Sequence, residues 1–150
     1  MSTPPKPENL SLDLESIEGT GFRFTGHSAE LTVPFDSGPA ATAINPVRMI
    51  LLSLGACTGM DVISILRKQR QVVTGYTIMM RGQRRAGHPR IFQTIELVHQ
   101  LRGHGLVQAA AEQAVHRSAT KYCTVSGQIG TTATITNRVE ILAAASGEGR

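Results

Sequence analysis

One segment limits the folds open to this chain more than any other, a long helix that is apolar on nearly every side. Asn45 is a good N-cap, and Pro46 suits the first helical position, where its missing N–H would have no partner anyway. The pattern predicts a helix from there to about residue 70, with cations in its last turn. Because a helix that is apolar on every side must be buried on every side, we expect a partner subunit to cover part of it.

Strand patterns lie on both sides of this helix. Two alternating segments precede it, with a glycine turn at 19–21, and two long segments follow it, joined by a basic turn. A second amphipathic helix and a last β-rich segment complete the order ββ-α-ββ-α-β, which predicts an α+β fold. The predicted strands are 10–14, 29–33, 71–80, 91–101 and 131–142, and the second helix is 106–120.

The length of 150 residues suits one domain with a real core, and we predict a single domain over 1–150. Flexible tails are expected at about 1–8 and 144–150. The N-terminus has no apolar core of a signal peptide, and the longest apolar run, 49–59, is short for a membrane span. We therefore expect a cytoplasmic protein without a membrane partner, in which a disulfide would be transient and catalytic.

Charge and aromatic content indicate which partners to expect. The net charge is +4, and the densest basic group, within 81–90, is broken by glycines and a proline. That pattern is typical of a solvated turn rather than of a nucleic-acid surface. Aromatic residues make up only 4% and tryptophan is missing, so we expect no nucleic-acid partner. The low charged fraction of 17% favours a surface partly buried in an oligomer.

The chain has two cysteines, in two unlike settings. Cys57 lies within the long helix, and Cys123 follows the second helical segment. Each has a plain interpretation as a small packed hydrophobic residue. Two glycines, Gly55 and Gly59, flank Cys57, and each costs about 1 kcal/mol in a helix relative to alanine. Something must compensate, either close approach of another segment or room for a substrate beside the thiol.

The surroundings of the two thiols favour a reactive pair. Asp61 lies four residues after Cys57 on the same side of the helix, where a carboxylate raises a thiol pKa and a cation is needed to offset it. A break before Cys123 would place that thiol at a helix start, where the helix dipole favours the thiolate. Two such thiols can reduce a peroxide without a cofactor, since one attacks and the other resolves the sulfenic acid.

Other kinds of site have little support. The five histidines lie in no recognisable catalytic motif, and His99 and His104, separated across a glycine, are typical of an exposed strand end. The sequence contains no C-x-x-C and no H-x-x-x-H, so we predict no metal site. Phosphate-binding and dinucleotide-binding motifs are also missing, and we predict no cofactor.

Two motifs resemble those of the OsmC/Ohr superfamily. The first is Asn45-Pro46 followed by the helix that holds Cys57, with the sequence Gly-Ala-Cys-Thr-Gly-Met-Asp-Val at residues 55–62. The second is Lys-Tyr-Cys-Thr-Val-Ser around Cys123. The likeness covers about residues 15–141 and is nearest to the OsmC-like YhfA branch.

The resemblance implies a fold and an activity. Members of the superfamily are intertwined homodimers in which antiparallel sheets wrap around central helices, with active sites at the subunit interface. Characterised members reduce organic hydroperoxides in defence against oxidative stress. By match to the motifs, Cys57 would be the peroxidatic residue and Cys123 the resolving one. An external dithiol, lipoyl groups or another thiol, would then reduce the disulfide.

The chain departs from the pattern at one position. Peroxide-reducing members carry a glutamate directly after the Asn-Pro, as partner for an arginine, and here Val47 stands there. Arg23 lies in the region of the family arginine, and Arg48 is the other candidate cation. Arg48 is about 13 Å from Cys57 along the helix, so it would act on the partner subunit's thiol or form an interface ion pair.

The apolar residues near Cys57 indicate a class of substrate. Met49, Leu52 and Met60 are the candidate substrate-binding residues, and they favour alkyl hydroperoxides over hydrogen peroxide. The alternative is a small-molecule-binding or redox-sensing dimer that is not a peroxidase, which Val47 favours. A purely structural dimer remains open if the two sulfurs lie far apart.

Overall fold

The computed structural model describes residues 3–5, 7–18 and 21–143. The predicted C-terminal tail, part of the predicted N-terminal tail and most of the turn at 19–21 lie outside the described residues. The chain divides into two compact units, residues 1–50 and 51–150, each of which is described by itself. The single domain over 1–150 stays a prediction.

The first unit holds a three-stranded antiparallel sheet. Its strands are β1 (Ser11–Glu18), β2 (Gly21–Ser28) and β3 (Leu31–Phe35), in that order across the sheet. The sequence pattern missed β2, whose glycine-containing segment does not read as a strand. The strand predicted at 29–33 begins later because Ala29 adopts a left-handed conformation (φ 52°) in the turn before it.

The long helix α1 (Pro46–Lys68) begins where the sequence predicts. The side chain of Asn45 accepts a hydrogen bond from the backbone N–H of Val47 at 2.8 Å, so the predicted N-cap is confirmed. Arg67 and Lys68 lie in the last turn, at the negative end of the helix dipole.

The second unit holds a second three-stranded sheet beside most of α1. The strands are β4 (Val72–Arg84), β5 (Phe92–His104) and β6 (Thr134–Ile141), in that order. Strands β4 and β5 are antiparallel, whereas β5 and β6 are parallel. The expectation of wholly antiparallel sheets is therefore wrong for this sheet. The helical connection between β5 and β6 returns the chain to the end of the sheet at which β5 begins, so that β6 runs parallel to β5.

That connection contains three helical segments where the sequence predicted one. They are α2 (Gln108–Arg117), a π turn (Ser118–Tyr122) and α3 (Thr124–Ile129). The wider π turn interrupts the helix before Cys123 and lets a new helix start there.

The core of the second unit lies between α1, β5 and α2. Its buried residues are Val62, Leu66, Leu101, Ala111, Ala114 and Val115. The opposite face of α1 is not covered within the chain, since Met60 is 74% exposed and Leu52 is 46% exposed. The predicted all-round burial of this helix is therefore not reached in one chain alone.

Among the described residues, α1 is the one helix long and apolar enough to cross a membrane by length and composition. It is longer than the apolar run at 49–59 suggested. This is weak evidence for a membrane span, because the core helix of a water-soluble protein meets the same two conditions. Val62 and Leu66 of α1 indeed pack in the core.

Candidate dithiol site

Two elements of the second unit bring both cysteines to one place. Cys57 and Asp61 lie one turn apart on α1, and Cys123 lies at the junction of the π turn and α3. The two sulfur atoms and one carboxylate oxygen of Asp61 all lie within 4.8 Å of one another. Both cysteines are free thiols, Cys57 half-buried and Cys123 buried. The structure thus places the two predicted thiols side by side.

Cys123 is the N-cap of α3, which confirms the predicted helix start. Its sulfur accepts a hydrogen bond from the backbone N–H of Ser126 at 3.3 Å and lies 3.4 Å from the hydroxyl of Thr58. Burial alone would raise the pKa of Cys123. Hydrogen bonds from Ser126, Thr58 and the Cys57 thiol outweigh burial and hold that pKa below its ordinary value.

Cys57 shows the opposite shift. Burial raises its pKa, and the neighbouring Cys123 and the charge of Asp61 raise it further, although a backbone hydrogen bond from Val125 opposes them. The effect expected from a carboxylate four residues along the helix is therefore present. Within the pair, Cys123 is therefore the more acidic thiol and Cys57 the less acidic one.

Asp61 is held in place by a buried hydroxyl. The Ser118 hydroxyl, at the start of the π turn, donates to the Asp61 carboxylate at 2.9 Å and is fully buried. Sequence reasoning connected neither Ser118 nor Thr58 with the site. No local pattern links these residues to the thiols, because the contacts join α1 to segments about sixty positions away.

The two candidate cations lie in the first unit. Arg23, on β2, donates to the Thr42 hydroxyl at 3.0 Å, and its guanidinium lies 3.7 Å from the Asp36 carboxylate. Backbone hydrogen bonds from Thr42 and Ser37, together with Arg23, hold the pKa of Asp36 below its ordinary value. Arg48 lies exposed in the first turn of α1. A role for either arginine in activating Cys57 stays a prediction.

An open apolar groove of about 910 Å³ runs between α1 and β4. Of the candidate substrate-binding residues, Leu52 and Met60 line it, whereas Met49 does not belong to its lining. The two thiols are likewise not part of that lining, so the groove and the dithiol are separate features of this chain.

Close approach of β4 explains the two helix glycines. A Cβ atom on Gly55 would overlap the Met80 side chain, and one on Gly59 would lie 2.9 Å from the Ile78 side chain. Packing against the strand therefore compensates the helix cost of both glycines, which is the first of the two explanations considered above.

A smaller polar pocket of about 290 Å³ opens beside Asp61. Its lining comprises Asp61, Ser64, Ile65, Lys68, Gln69, Arg117 and Tyr122. Small solutes can thus approach the carboxylate side of the dithiol cluster from solvent.

The expectation of an exposed strand end is confirmed for His104, the last residue of β5, and is wrong for His99, which is fully buried. Its Nε2 lies 2.9 Å from the Asn137 side-chain oxygen, and its Nδ1 lies 2.6 Å from the Tyr76 hydroxyl. Because a carbonyl oxygen can only accept, Nε2 carries the proton and the tyrosine donates to Nδ1. Burial lowers the pKa of His99, which makes it a neutral, fully bonded core residue.

Comparison with known proteins adds a family likeness to this geometry. The chain matches the family described as OsmC-like protein over residues 36–138. It is 36% identical to Protein YhfA of Escherichia coli over 125 residues, covering 83% of this chain and 93% of the relative.

Solved structures share the fold. A hypothetical protein from Aquifex aeolicus aligns with a TM-score of 0.82 at 29% identity, over 93% of this chain and 98% of that one. The organic hydroperoxide resistance protein OhrB of Bacillus subtilis aligns with a TM-score of 0.62 at 14% identity, over 88% and 98%. At that identity the second likeness concerns the fold alone.

Proposed function

This chain belongs to the OsmC-like protein family, and from that premise we propose that it is a thiol-dependent peroxidase for organic hydroperoxides. The observation that carries the proposal is the placement of the Cys57 and Cys123 sulfurs within 4.8 Å of each other. Two thiols at that separation reach a disulfide by a small local movement. The name of the OhrB structural neighbour, an organic hydroperoxide resistance protein, agrees with the proposed substrate.

The proposed reaction has two balanced steps. Cys57 attacks the distal peroxide oxygen, the O–O bond breaks, and the leaving alkoxide takes up a proton to become the alcohol. The thiol of Cys123 then attacks the Cys57 sulfenic acid, which forms the disulfide and releases water. An external dithiol, a lipoyl group or another thiol, returns the two electrons and two protons that regenerate the reduced pair.

The position of Cys123 beside Cys57 supplies a base for the first step. The pKa of Cys123 is lowered and that of Cys57 is raised, and the Cys57 thiol donates a hydrogen bond toward the Cys123 sulfur. Transfer of that proton to a deprotonated Cys123 runs against this pKa order and leaves the thiolate on Cys57, which is the more exposed of the two. The protonated Cys123 is then ready to resolve the sulfenic acid.

We also propose that the protein acts as a homodimer in the cytoplasm. Leu52 and Met60 leave an apolar face of α1 exposed, and several large apolar side chains of the first sheet are exposed as well. Apolar surface of this extent is typical of an interaction site. A second copy covering α1 would bury Met60 and give the helix the all-round burial that its composition predicts.

Thiol counting during peroxide reduction tests the proposal. The reduced protein is titrated with cumene hydroperoxide and, separately, with hydrogen peroxide, and free thiols are counted. We expect two thiols lost per cumene hydroperoxide consumed, a faster reaction than with hydrogen peroxide, and no turnover in Cys57→Ser. In Cys123→Ser the sulfenic acid should persist and react with dimedone.

A matched control separates the thiol from general effects on α1. Ser53→Ala changes an exposed residue of the same helix and should leave turnover unchanged. If the wild type and Cys57→Ser consume peroxide equally slowly, the peroxidase proposal is wrong.

A redox-sensing dimer is the second candidate, and two observations favour it. The pKa of Cys57 is raised, and Val47 stands where the peroxide-reducing members carry glutamate. A sensor would form its disulfide with diamide or a small disulfide while consuming no cumene hydroperoxide catalytically. That pair of results would select the second candidate over the first.

A further inference from the structure

We propose that the reduced Cys57, Asp61 and Cys123 form a binding site for a thiophilic divalent cation, with Zn²⁺ as the fitting ion. The inference needs the two thiols in reduced form and does not depend on peroxidase activity. It starts from a side-chain cluster in which three ligand atoms converge on one point.

The separations suit a metal ion. Three atoms that all lie within 4.8 Å of one another have a common point no more than about 2.8 Å from each. Zinc binds sulfur at about 2.3 Å and carboxylate oxygen at about 2.0–2.2 Å. Side-chain movements of less than an ångström would therefore bring all three ligands to bonding distance.

The donor set selects the kind of ion. Two thiolates and one carboxylate suit Zn²⁺ better than Mg²⁺ or Ca²⁺, which prefer sites made of oxygen alone. The polar pocket beside Asp61 gives an entry path from solvent to the carboxylate ligand. Lys68 and Arg117 line that pocket and would partly balance the net negative charge of a zinc ion held by three anions.

Two of the three ligands already have a partner that holds them in place. The Ser118 hydroxyl donates to the Asp61 carboxylate, and the Ser126 N–H donates to the Cys123 sulfur. Such partners orient metal ligands and support their negative charge.

The sequence hides this site because its ligands do not follow a zinc-motif spacing. Cys57 and Asp61 are four apart on one helix, and Cys123 comes 66 positions after Cys57. Only the fold brings the third ligand to the first two.

Cobalt titration tests the site directly. Co²⁺ is added to the reduced full-length protein without oxygen, and the thiolate-to-cobalt charge-transfer band is followed in the near ultraviolet. We expect saturation at one Co²⁺ per chain, and loss of the band when Zn²⁺ displaces cobalt. Competition with a chromogenic chelator then gives the zinc affinity. Saturation well below one ion per chain would overturn the proposal.

Variants identify the ligands. Ser118→Ala should lower zinc affinity about 10–100-fold, as loss of an orienting partner does, and Asp61→Asn should lower it at least as much. Cys57→Ser and Cys123→Ser should each weaken the charge-transfer band. Ser64→Ala, which changes another residue of the same pocket, is the matched control and should bind zinc like the wild type. Circular dichroism checks that each variant is folded.

Two results would contradict the assignment. Unchanged zinc affinity in Asp61→Asn would exclude the carboxylate as a ligand. Full binding in the double variant Cys57→Ser with Cys123→Ser would place the ion elsewhere, for example on histidines. Since no peroxide enters these measurements, a failed metal site and a failed peroxidase are distinguished.

Discussion

At the scale of single residues, the two cysteines differ in the donors around them. Cys123 is the more buried thiol and yet has the lower pKa, because an N–H and a hydroxyl point at its sulfur. Cys57 is more accessible, but Asp61 and Cys123 both oppose its charge. Accessibility and acidity are thus divided between the two thiols.

The order of the two thiol pKa values is the first prediction. Single variants isolate each thiol, and the thiolate absorbance in the ultraviolet is followed against pH. We expect the pKa of Cys123, observed in Cys57→Ser, to lie below that of an unperturbed cysteine thiol, and the pKa of Cys57, observed in Cys123→Ser, to lie above it. Each variant removes one neighbouring thiol, so the difference between the two pKa values should be smaller than in the wild type. A reversed order would contradict the hydrogen-bond argument.

The Thr58 hydroxyl gives a second prediction. Thr58→Val keeps the shape of this buried side chain and removes its hydrogen bond to the Cys123 sulfur. We expect the pKa of Cys123 to rise and the free energy of unfolding to fall by about 0.5–1.5 kcal/mol, the usual contribution of one hydrogen bond. Thiolate absorbance and urea unfolding measure the two effects. Thr77→Val, on the exposed side of β4, is the control and should leave both quantities unchanged.

At the scale of elements, local signals predicted α1 well and the sheets less completely. The cap at Asn45 and the terminal cations are short-range features, and the helix begins where they indicate. Strand β2 was missed because its glycines weaken the alternating pattern. The parallel pairing of β5 with β6 has no local signal either, because strand direction is set by the path of the connection and not by the strand residues.

Strand β5 extends beyond the predicted end at residue 101, and Gly103 in this extension gives the third prediction. The sequence reads as a break at 102–105, yet β5 continues through Gly103, where a Cβ would overlap the backbone carbonyl of Val72 on β4. The Val72 carbonyl belongs to the backbone and cannot rotate away from an added Cβ as a side chain can. Gly103→Ala should therefore lower the free energy of unfolding by about 1–3 kcal/mol.

A glycine in open space provides the comparison for that variant. Gly127 lies in α3, and a Cβ there would meet no atom within 4 Å. Gly127→Ala should raise the free energy of unfolding by up to about 1 kcal/mol through helix propensity. Urea denaturation measures the free energy of unfolding of both variants. If the two substitutions change it by the same amount in the same direction, the steric explanation is wrong.

At the scale of the whole molecule, sequence reasoning pointed to the three groups that the fold brings together but not to the hydrogen bonds around them. The two motifs pointed to Cys57 and Cys123, and helix spacing pointed to Asp61. The hydrogen bonds that tune these groups come from Thr58, Ser118 and the start of α3, and they exist only once α1 packs against the π turn. Tertiary contact, and not local pattern, therefore sets the acidity of the site.

The exposed face of α1 leads to the last prediction, which concerns the proposed dimer. Burying Met60, now 74% exposed, would contribute about 1.5–3 kcal/mol per subunit, and Met60→Glu would replace that gain by a buried charge. We expect the variant to raise the dimer dissociation constant at least tenfold in sedimentation equilibrium. Val107→Glu alters an equally apolar residue at the start of α2 and should leave the dimer intact. Because the three proposed metal ligands belong to one chain, cobalt binding should survive in the Met60→Glu monomer.

The sedimentation of the wild type decides whether there is a dimer at all. If the wild type sediments as a monomer at all concentrations, the proposed dimer is wrong, whereas the dithiol site, which lies within one chain, is unaffected.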